Sequence, residues 1–257
     1  MRGLIDRRQF MTSALAAGVA VPAALGLATQ AFAATPKKGG MMRFGMGHGS
    51  TTDTLDPATY ENAWSQNVGY AFSNHLTEVG PNGQLRPELA ESYEASADAA
   101  TWRFKIRSGV EFHNGKTLTP QDVVDSFNHH RGEDSTSAAK GLLTAVNEIS
   151  IDGDTVVFAL ADGNADFPFI VSDYHFSIRP SNGDGTMDWS SGIGTGGFVL
   201  DSFEPGVAAK FTKFPNYWKE GAGHADSLEI LSLIDVTARQ NAAMNGDVDI
   251  IDRVDPK

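Results

Sequence analysis

The sequence has 257 residues, enough for one or two globular domains, and 41% of them are hydrophobic, an ordinary fraction for such a protein. It carries 20 basic and 32 acidic side chains, a formal net charge of −12, and has no basic stripe. Nucleic acids and anionic lipids are bound through clustered Lys and Arg, so neither class of partner is expected. The sequence has no cysteine, which excludes disulfides, thiolate catalysis, thiolate metal sites and a lipid-attachment cysteine.

Residues 1–33 have the layout of an export signal. Arg7 and Arg8 precede a weakly apolar run at residues 11–27, and a small-residue cleavage pattern follows at residues 31–33. The run is too short and too polar to span a bilayer, so we expect a removable signal and no membrane anchor. The arginine pair resembles a twin-arginine signal; a general secretory signal is the alternative.

Cleavage near Ala33 would remove three arginines and one aspartate. The mature chain would then hold 17 basic and 31 acidic side chains, a net charge of −14. An exported protein with neither lipid nor membrane helix needs an outer barrier to retain it. The predicted location is therefore the periplasm.

The first element after the signal is a predicted strand at residues 41–45, which follows a flexible lead rich in Lys and Gly. A small polar loop comes directly after it. Loops placed after a strand are common sites of ligand contact. The candidate ligand-binding residues in this loop are His48, Thr51 and Thr52, with Asp53 beside them.

A helix is predicted from Glu61 to Leu76. Trp64, Val68, Phe72 and Leu76 fall four residues apart and so share one face of this helix. Such an apolar face usually packs on the core. The alternative is that Trp64 lines a pocket.

Strands and a second helix are predicted in the middle of the chain. Residues 102–106 alternate apolar and charged side chains, which indicates a strand with one buried face. Thr119 suits the N-cap of a helix, and Pro120 suits its first position. A hairpin is predicted to join residues 149–151 to residues 156–160 through an Asp-Gly-Asp turn.

Motifs of enzymes and metal sites are missing from the sequence, which has no H-E-x-x-H, G-x-S-x-G or P-loop pattern. His129 and His130 are adjacent, so on a helix they point about 100° apart and cannot share a metal. The glycine-rich run at residues 192–198 leads into a strand-like segment rather than a helix, which excludes a phosphate loop. Its sparsely covered backbone suits close approach by another chain or a ligand. No cofactor and no metal are expected.

Four segments of the sequence, in order, carry a family pattern. They are Leu55-Asp56-Pro57; residues 85–94 running into 102–115 and 118–127; residues 194–198; and Asn216-Tyr217-Trp218 with residues 235–250. Together they resemble the peptide- and nickel-type solute-binding proteins of ATP-driven importers, the extracytoplasmic solute-binding protein family 5. The second segment is the most specific signature. In the third segment, the family commonly has proline in place of Gly197.

This resemblance implies an α/β fold, a mixed sheet with helices of the periplasmic-binding-protein type II. It implies that the chain forms the first lobe, with a sheet subdomain at residues 34–52 and 176–257. An intervening subdomain would hold residues 53–175. Family members are usually much longer, so the chain is expected to be an N-terminal fragment without the second lobe.

The function implied by the resemblance is capture without chemistry, so we do not expect an enzyme. Proteins of this kind hold a peptide or another small solute in a cleft between two lobes, and closure presents a surface to the membrane permease of an ABC importer. Peptide-type members bind the ligand backbone as an added strand. The exposed backbone at Thr195, Gly196 and Gly197 suits that role. The full-length protein is expected to be a monomer.

A second set of candidate ligand contacts lies in the segment that leads back to the sheet. Asp173, Tyr174 and His175 precede Phe176 in a predicted strand, where successive side chains face opposite sides. Either Asp173 and His175 or Tyr174 would then face the cleft. The alternative is that this segment is ordinary sheet core and surface.

An exported hydrolase, or a metal- or haem-binding protein, is the alternative function, because the twin-arginine route often carries cofactor proteins. The missing nucleophile motif and the missing metal-ligand spacing argue against it. Within the binding class, a nickel, haem or opine receptor is the alternative to a peptide receptor.

Overall fold

The computed structural model of the protein describes residues 36–254. The export signal and cleavage pattern predicted for residues 1–33 lie outside the described residues. Two sheets, one mixed and one antiparallel, contain most of the strands, and helices pack against both. The predicted α/β class is confirmed.

A five-stranded mixed sheet contains the first strand and the last part of the described chain. Its strands are β1 (Met41–Met46), β8 (Phe198–Glu204), β9 (Ala208–Lys213), β10 (Ser227–Ser232) and β11 (Ile250–Ile251). They lie in the order β11-β1-β10-β9-β8. β1 runs parallel to β10 and β11, while the β10–β9 and β9–β8 pairs are antiparallel. β1 confirms the strand predicted at residues 41–45.

Alternating apolar residues give this sheet one buried face. Ala209 and Phe211 of β9 are buried, and so are Leu228 and Ile230 of β10. The register places Phe211 opposite Leu228 and Ala209 opposite Ile230, so the four side chains form one continuous patch. A helix covers that patch.

The covering helix is α1 (Ala63–Phe72), which buries Trp64, Val68 and Phe72 against the sheet. Asn62 caps it by accepting a hydrogen bond of 2.9 Å from the Ser65 backbone. The Trp64 indole donates to the Ile230 carbonyl, 3.2 Å away. The predicted core face is therefore confirmed for these three residues, and Trp64 is a core residue.

The predicted extension of this helix to Leu76 is wrong. In a longer helix the Phe72 carbonyl would accept from the backbone of Leu76, but it accepts from Gly196 instead, at 3.0 Å. Ser73 is already extended, with φ −138° and ψ 162°. Leu76 is fully buried, but it belongs to the core of the second sheet.

The second sheet is antiparallel and four-stranded. Its strands are β4 (Ala90–Ala95), β5 (Thr101–Ile106), β6 (Val146–Asp152) and β7 (Thr155–Leu160), in the order β4-β5-β7-β6. β5 confirms the strand predicted at residues 102–106. β6 and β7 confirm the predicted hairpin, whose turn places Gly153 at φ 62°.

Helix α2 (Pro120–Asn128) packs on β6 and β7 and confirms the helix start predicted at Thr119 and Pro120. The Asp122 carboxylate accepts from the backbone and the hydroxyl of Thr119, at 2.8 and 2.7 Å. The remaining elements are the 3₁₀ helices at Pro57–Thr59 and Lys140–Leu143, β2 (Thr77–Val79) paired with β3 (Leu85–Pro87), α3 (Phe167–Ile170) and α4 (Val236–Asn245).

The strand predicted at residues 173–176 is wrong, because this segment is a turn that follows α3. The Asp173 backbone donates to the Ile170 carbonyl at 3.0 Å, and the Asp173 carbonyl accepts from Phe176 at 2.9 Å. The Asp173 carboxylate accepts from the backbone of His175 at 3.1 Å. An aspartate that bonds its own backbone two residues on favours a turn over a strand.

The division into subdomains at residues 34–52 and 176–257 against 53–175 stays a prediction. The strands of the two sheets fall on either side of that division. Helix α1 falls within residues 53–175 but packs on the five-stranded sheet. Within residues 36–254, no helix has both the length and the apolar character needed to cross a membrane.

Candidate functional site

The carboxyl ends of the three parallel strands meet at one edge of the five-stranded sheet, the position where α/β proteins commonly bind ligands. His48 follows β1 there and Arg253 follows β11. The Arg253 guanidinium donates to the His48 Nε2 at 2.6 Å. Both residues have positive φ, 67° and 48°, a conformation that non-glycine residues rarely adopt. His48 is exposed at this edge.

Arg239, a buried arginine of α4, connects the strand ends at this edge. Its Nε lies 3.1 Å from the Asp252 carboxylate, and its Nη1 donates to the carbonyls of Leu233 and Ile234. Asp252 also accepts from the Gly47 backbone at 2.9 Å. The ends of β1, β10 and β11 are thus joined through one guanidinium, a role for Arg239 that the sequence analysis missed.

Thr51 and Thr52 are exposed on the loop after His48. The Thr52 hydroxyl lies 2.8 Å from that of Ser50, and the Asp53 carboxylate accepts from the Ser50 backbone at 2.7 Å. Gly206 packs on this loop so closely that an added Cβ would lie 2.7 Å from the Thr51 nitrogen. The loop is therefore held in place, with two threonine side chains open to solvent.

The glycine loop of residues 194–197 is buried, so the expectation of exposed backbone there is wrong. An added Cβ would lie 2.0 Å from the Phe72 carbonyl at Gly194 and 2.4 Å from the Phe72 carbonyl carbon at Gly196. Gly196 donates to Phe72, and the Gly197 carbonyl accepts from Phe214 at 2.9 Å. The chain that approaches the glycines closely is the protein's own α1.

His113 also holds the glycine loop, through hydrogen bonds to Gly194 and Gly196. Its backbone donates to the Gly194 carbonyl at 3.0 Å, and its Nε2 donates to the Gly196 carbonyl at 3.0 Å. Its Nδ1 accepts from the Gly194 backbone at 3.4 Å. Burial lowers the pKa of His113 despite the bond to Gly196, which suits a neutral ring.

Thr195 is fully buried, and its hydroxyl donates to the Asn74 side-chain oxygen at 3.2 Å. Asn74 in turn donates to the carboxylate of Glu88 at 2.8 Å. Glu88 also accepts from the His75 backbone and pairs with Lys219. Burial opposes ionisation of Glu88, yet the bonds from His75 and the Lys219 charge lower its pKa overall. A polar network thus connects the glycine loop to His75.

Asp173, Tyr174 and His175 lie together on the turn after α3. The Asp173 carboxylate lies 2.6 Å from the His175 Nδ1, and the rings of Tyr174 and His175 are 4.1 Å apart. Burial opposes ionisation of Asp173, but the hydrogen bonds from His175 lower its pKa overall. The pKa of Tyr174 is raised by burial and then by the charges of Asp173 and Glu61.

Tyr70 lies near Asp173, Tyr174 and Glu88. It is the aromatic residue that the sequence analysis missed. It lies on α1 outside the buried stripe and is 50% exposed. Partial burial of the ring is the largest cause that raises the pKa of Tyr70 to about 12, and the charges of Asp173 and Glu88 are the next causes. An aromatic residue that falls outside the apolar stripe of a predicted helix is the sequence signal that could have identified it.

Two cavities flank Tyr70. One, of about 230 Å³, is lined by Phe44, Gly197, Tyr217 and Leu228, among others. The second, of about 200 Å³, is lined by His75, Glu88 and other polar residues.

We call the surface formed by Tyr70 and Tyr174 the tyrosine surface. His75 is buried beside it, with its ring 5.4 Å from that of Tyr70. Gly197 lies beside the tyrosine surface. His48 makes its hydrogen bond to Arg253 at the sheet edge, Thr52 makes its hydrogen bond within its own loop, and Thr51 lies exposed on the same loop. No group of three or more His, Asp or Glu able to hold a metal occurs in the part of the chain that the structure describes.

Comparisons with known proteins agree with this architecture. The family model of the bacterial extracellular solute-binding proteins, family 5 (middle region), matches residues 84–257. Heme-binding protein A of Haemophilus influenzae is 31% identical over 223 residues, which cover 75% of this chain and 39% of that protein. Di/tripeptide-binding protein 2 of Pseudomonas aeruginosa is 28% identical over 213 residues, covering 72% and 40%.

A solved structure, the binding protein AgaA of A. tumefaciens R10 in complex with agropinic acid, is 28% identical with a TM-score of 0.74. The match covers 82% of this chain and 43% of that one. The chain therefore spans about two-fifths of the length of the relatives it matches. From the matched family model and these shared folds, we conclude that the chain belongs to family 5 of the bacterial extracellular solute-binding proteins.

Proposed function

We propose that this protein is the solute-binding component of an ATP-driven importer. It captures a peptide or a similar small solute outside the cytoplasm and delivers it to a membrane permease. The described residues contribute one wall of a cleft, and the tyrosine surface is the centre of that wall.

The observation that carries this proposal is the position of Tyr70. An aromatic ring that is half-exposed between two cavities offers a stacking surface, and aromatic residues dominate recognition sites because they bury a large area at low entropic cost. Tyr174 and the Asp173–His175 pair add hydrogen-bonding groups beside it. Such a wall suits a ligand with both apolar and polar parts.

The residues predicted from the sequence then take different roles. Asp173 and Tyr174 contact the solute directly on the tyrosine surface, and the buried His175 orients the Asp173 carboxylate, which lies 2.6 Å from its Nδ1. The glycine loop, with Thr195, Gly196 and Gly197, supports that surface indirectly. It packs on the end of α1 and so fixes the orientation of Tyr70 on that helix. His48, Thr51 and Thr52 contact the solute, or the facing wall, at the sheet edge.

Native mass spectrometry of the protein purified from the periplasm tests capture against turnover. We expect a small solute that stays bound in the intact protein, is released on mild denaturation, and keeps its mass after hours of incubation with the protein. In a second experiment the released solute is added back to solute-free protein, and the mass of the protein–solute complex should reappear. Products of lower mass would indicate a hydrolase instead, and failure to retain or rebind any solute would contradict capture.

A further inference from the structure

The cavity of about 230 Å³ beside Tyr70 is lined mainly by apolar and aromatic side chains, and we call it the aromatic pocket. Its lining residues come from α1, the glycine loop, β1, β8, β10 and the segment between β9 and β10. Phe44, Phe198 and Leu228 form apolar parts of the wall, and Tyr70 and Tyr217 add two phenol rings. Among the described residues that line the pocket, none carries a charge.

The space in the aromatic pocket is left by small residues. Ala71, Ala222, Gly197 and Gly223 all line it, so no long side chain from these positions fills it. Gly197 also has no room for a side chain of its own. An added Cβ there would lie 3.2 Å from the Tyr217 ring, which is closer than side chains normally pack. The glycine therefore allows the Tyr217 ring to lie where it forms the pocket wall.

Tyr217 is a fixed and neutral part of that wall. Its hydroxyl accepts from the Asn74 side chain at 3.3 Å, and its backbone donates to the Phe214 carbonyl at 3.3 Å. Burial is the largest cause that raises the pKa of Tyr217 to about 12, so the phenol is not ionised at neutral pH. A ring held at both ends offers apolar contact area at little further cost in conformational entropy.

The polar groups around the pocket do not suit a charged ligand group. Asn67 on α1 donates to the Ala63 carbonyl at 2.8 Å, and its amide can orient a polar atom of a ligand but cannot neutralise a charge. Lys219 follows Tyr217 by two residues, but it pairs with Glu78 and Glu88 outside the lining. A charged group in the pocket would lose hydration without gaining an oppositely charged partner, which is unfavourable.

We propose that the aromatic pocket binds an uncharged, apolar side group of the captured solute, of the size of a leucine or phenylalanine side chain. An apolar cavity of about 150 Å³ is enough to hold benzene, whereas sites for whole ligands usually measure about 300–1,000 Å³. A pocket of about 230 Å³ therefore suits one side group and not an entire solute. This inference rests on the proposed function, and it names the class of solute as one with an apolar side group.

A titration with capped amino acids tests the proposal. The probes are the N-acetyl amides of phenylalanine, leucine, asparagine, aspartate, lysine and glycine, which differ only in the side chain. The readout is NMR of the alanine methyl groups in protein labelled with carbon-13 alanine. The signals of Ala71 and Ala222, which line the pocket, are assigned by their loss in Ala71→Gly and Ala222→Gly.

We expect saturable shifts of both methyl signals with the phenylalanine and leucine probes. Their affinity should be at least about tenfold higher than that of the asparagine probe, whose side chain is nearly isosteric with leucine, or of the glycine probe and the two charged probes. The asparagine probe separates apolar character from size, and the aspartate and lysine probes test each sign of charge.

A variant that fills the pocket makes the test specific. Ala222 is partly exposed at the pocket wall, so Ala222→Leu occupies space that the ligand needs, and it should weaken binding of the phenylalanine probe at least about tenfold. The Ala71 signal reports binding in this variant. Ala161→Leu is the matched control, because Ala161 is exposed and lines neither cavity beside Tyr70, and it should bind as the wild type does.

Equal affinity for all six probes, no saturable shift with the phenylalanine and leucine probes, or wild-type affinity in Ala222→Leu would overturn the proposal. The order of the probes in the wild type decides it even if Ala222→Leu fails to fold. Capture is judged separately by native mass spectrometry. A retained solute with equal affinity for all probes would overturn the pocket assignment and leave capture intact, whereas the expected order in a protein that retains no solute would support the apolar pocket and contradict capture.

Discussion

His130 is a fully buried histidine at the end of α2. Its Nδ1 lies 2.7 Å from the Ser137 hydroxyl, and its Nε2 has no partner within the described part of the chain. Its ring packs edge-on against that of Phe176, with centroids 5.2 Å apart. Burial, followed by the charges of His129 and His175, lowers the pKa of His130 to about 3 from an ordinary value of 6.5.

This environment predicts loss of stability in mild acid. As the pH falls below 6.5, the unfolded chain binds a proton at this residue while the folded chain does not until near pH 3. The free energy of unfolding therefore falls across that window, by on the order of 3 kcal/mol between pH 7 and pH 4. Urea unfolding at several pH values measures it.

The variant His130→Gln should flatten this pH dependence, because glutamine does not titrate. His224→Gln, at a partly exposed histidine, is the matched control and should keep the wild-type slope. An identical slope in His130→Gln and in the wild type would show that His130 is not the source of the acid sensitivity.

Arg7 and Arg8 make a second prediction at the scale of single residues. Changing both to lysine keeps the charge but removes the guanidinium pair, which a twin-arginine receptor reads and a general secretory signal does not need. We expect export of the double variant to stop, measured as the fraction of mature protein in the periplasm. Normal export of the Lys-Lys variant would leave the general secretory signal as the correct interpretation.

At the scale of elements, the glycine loop and the end of α1 are in backbone-to-backbone contact. A Cβ at Gly196 would lie 2.4 Å from the Phe72 carbonyl carbon and 2.5 Å from the Ser73 nitrogen, which are backbone atoms that cannot turn away. Gly196→Ala should therefore destabilise the fold by about 2–4 kcal/mol. Thermal or urea unfolding measures the change.

Gly141→Ala is the control for this substitution, because a Cβ there meets nothing within 4 Å and its φ is not positive. Its stability should equal or slightly exceed that of the wild type. If Gly196→Ala and Gly141→Ala had equal stabilities, the close packing of the glycine loop on α1 would be contradicted.

The elements that the sequence predicts well are those decided by local chemistry. The alternation of β5, the cap at Thr119 and the hairpin around Gly153 each depend on residues a few positions apart. The end of α1 could not be predicted in this way. It depends on the Phe72 carbonyl accepting from Gly196, which is far along the chain. The turn at Asp173 was missed because period-two alternation does not reveal an aspartate that bonds its own backbone.

The candidate site was predictable in part. The sequence predicts ligand contacts at Tyr174 and its neighbours and at the loop after β1. It does not indicate that Tyr70 lies between two cavities, nor that Thr195 is buried. Both facts depend on how α1 packs against the sheet, which no local pattern encodes.

At the scale of the whole molecule, the chain covers about two-fifths of the length of its relatives. A single wall with an exposed aromatic at its centre is what half of a two-walled cleft presents to solvent. We therefore expect the tyrosine surface to become buried when solute and the facing wall close over it. Aromatic residues at the centre of such an interface carry much of the binding energy.

The measurement that tests this account most directly is a calorimetric titration with the solute that the native protein retains. It compares the wild type, the double variant Tyr70→Ala with Tyr174→Ala, and Trp189→Ala, which removes an exposed aromatic that lines neither cavity beside Tyr70. We predict at least about tenfold weaker binding by the double variant and unchanged binding by Trp189→Ala. Equal affinity in all three proteins would contradict the assignment of the tyrosine surface as the solute-binding wall.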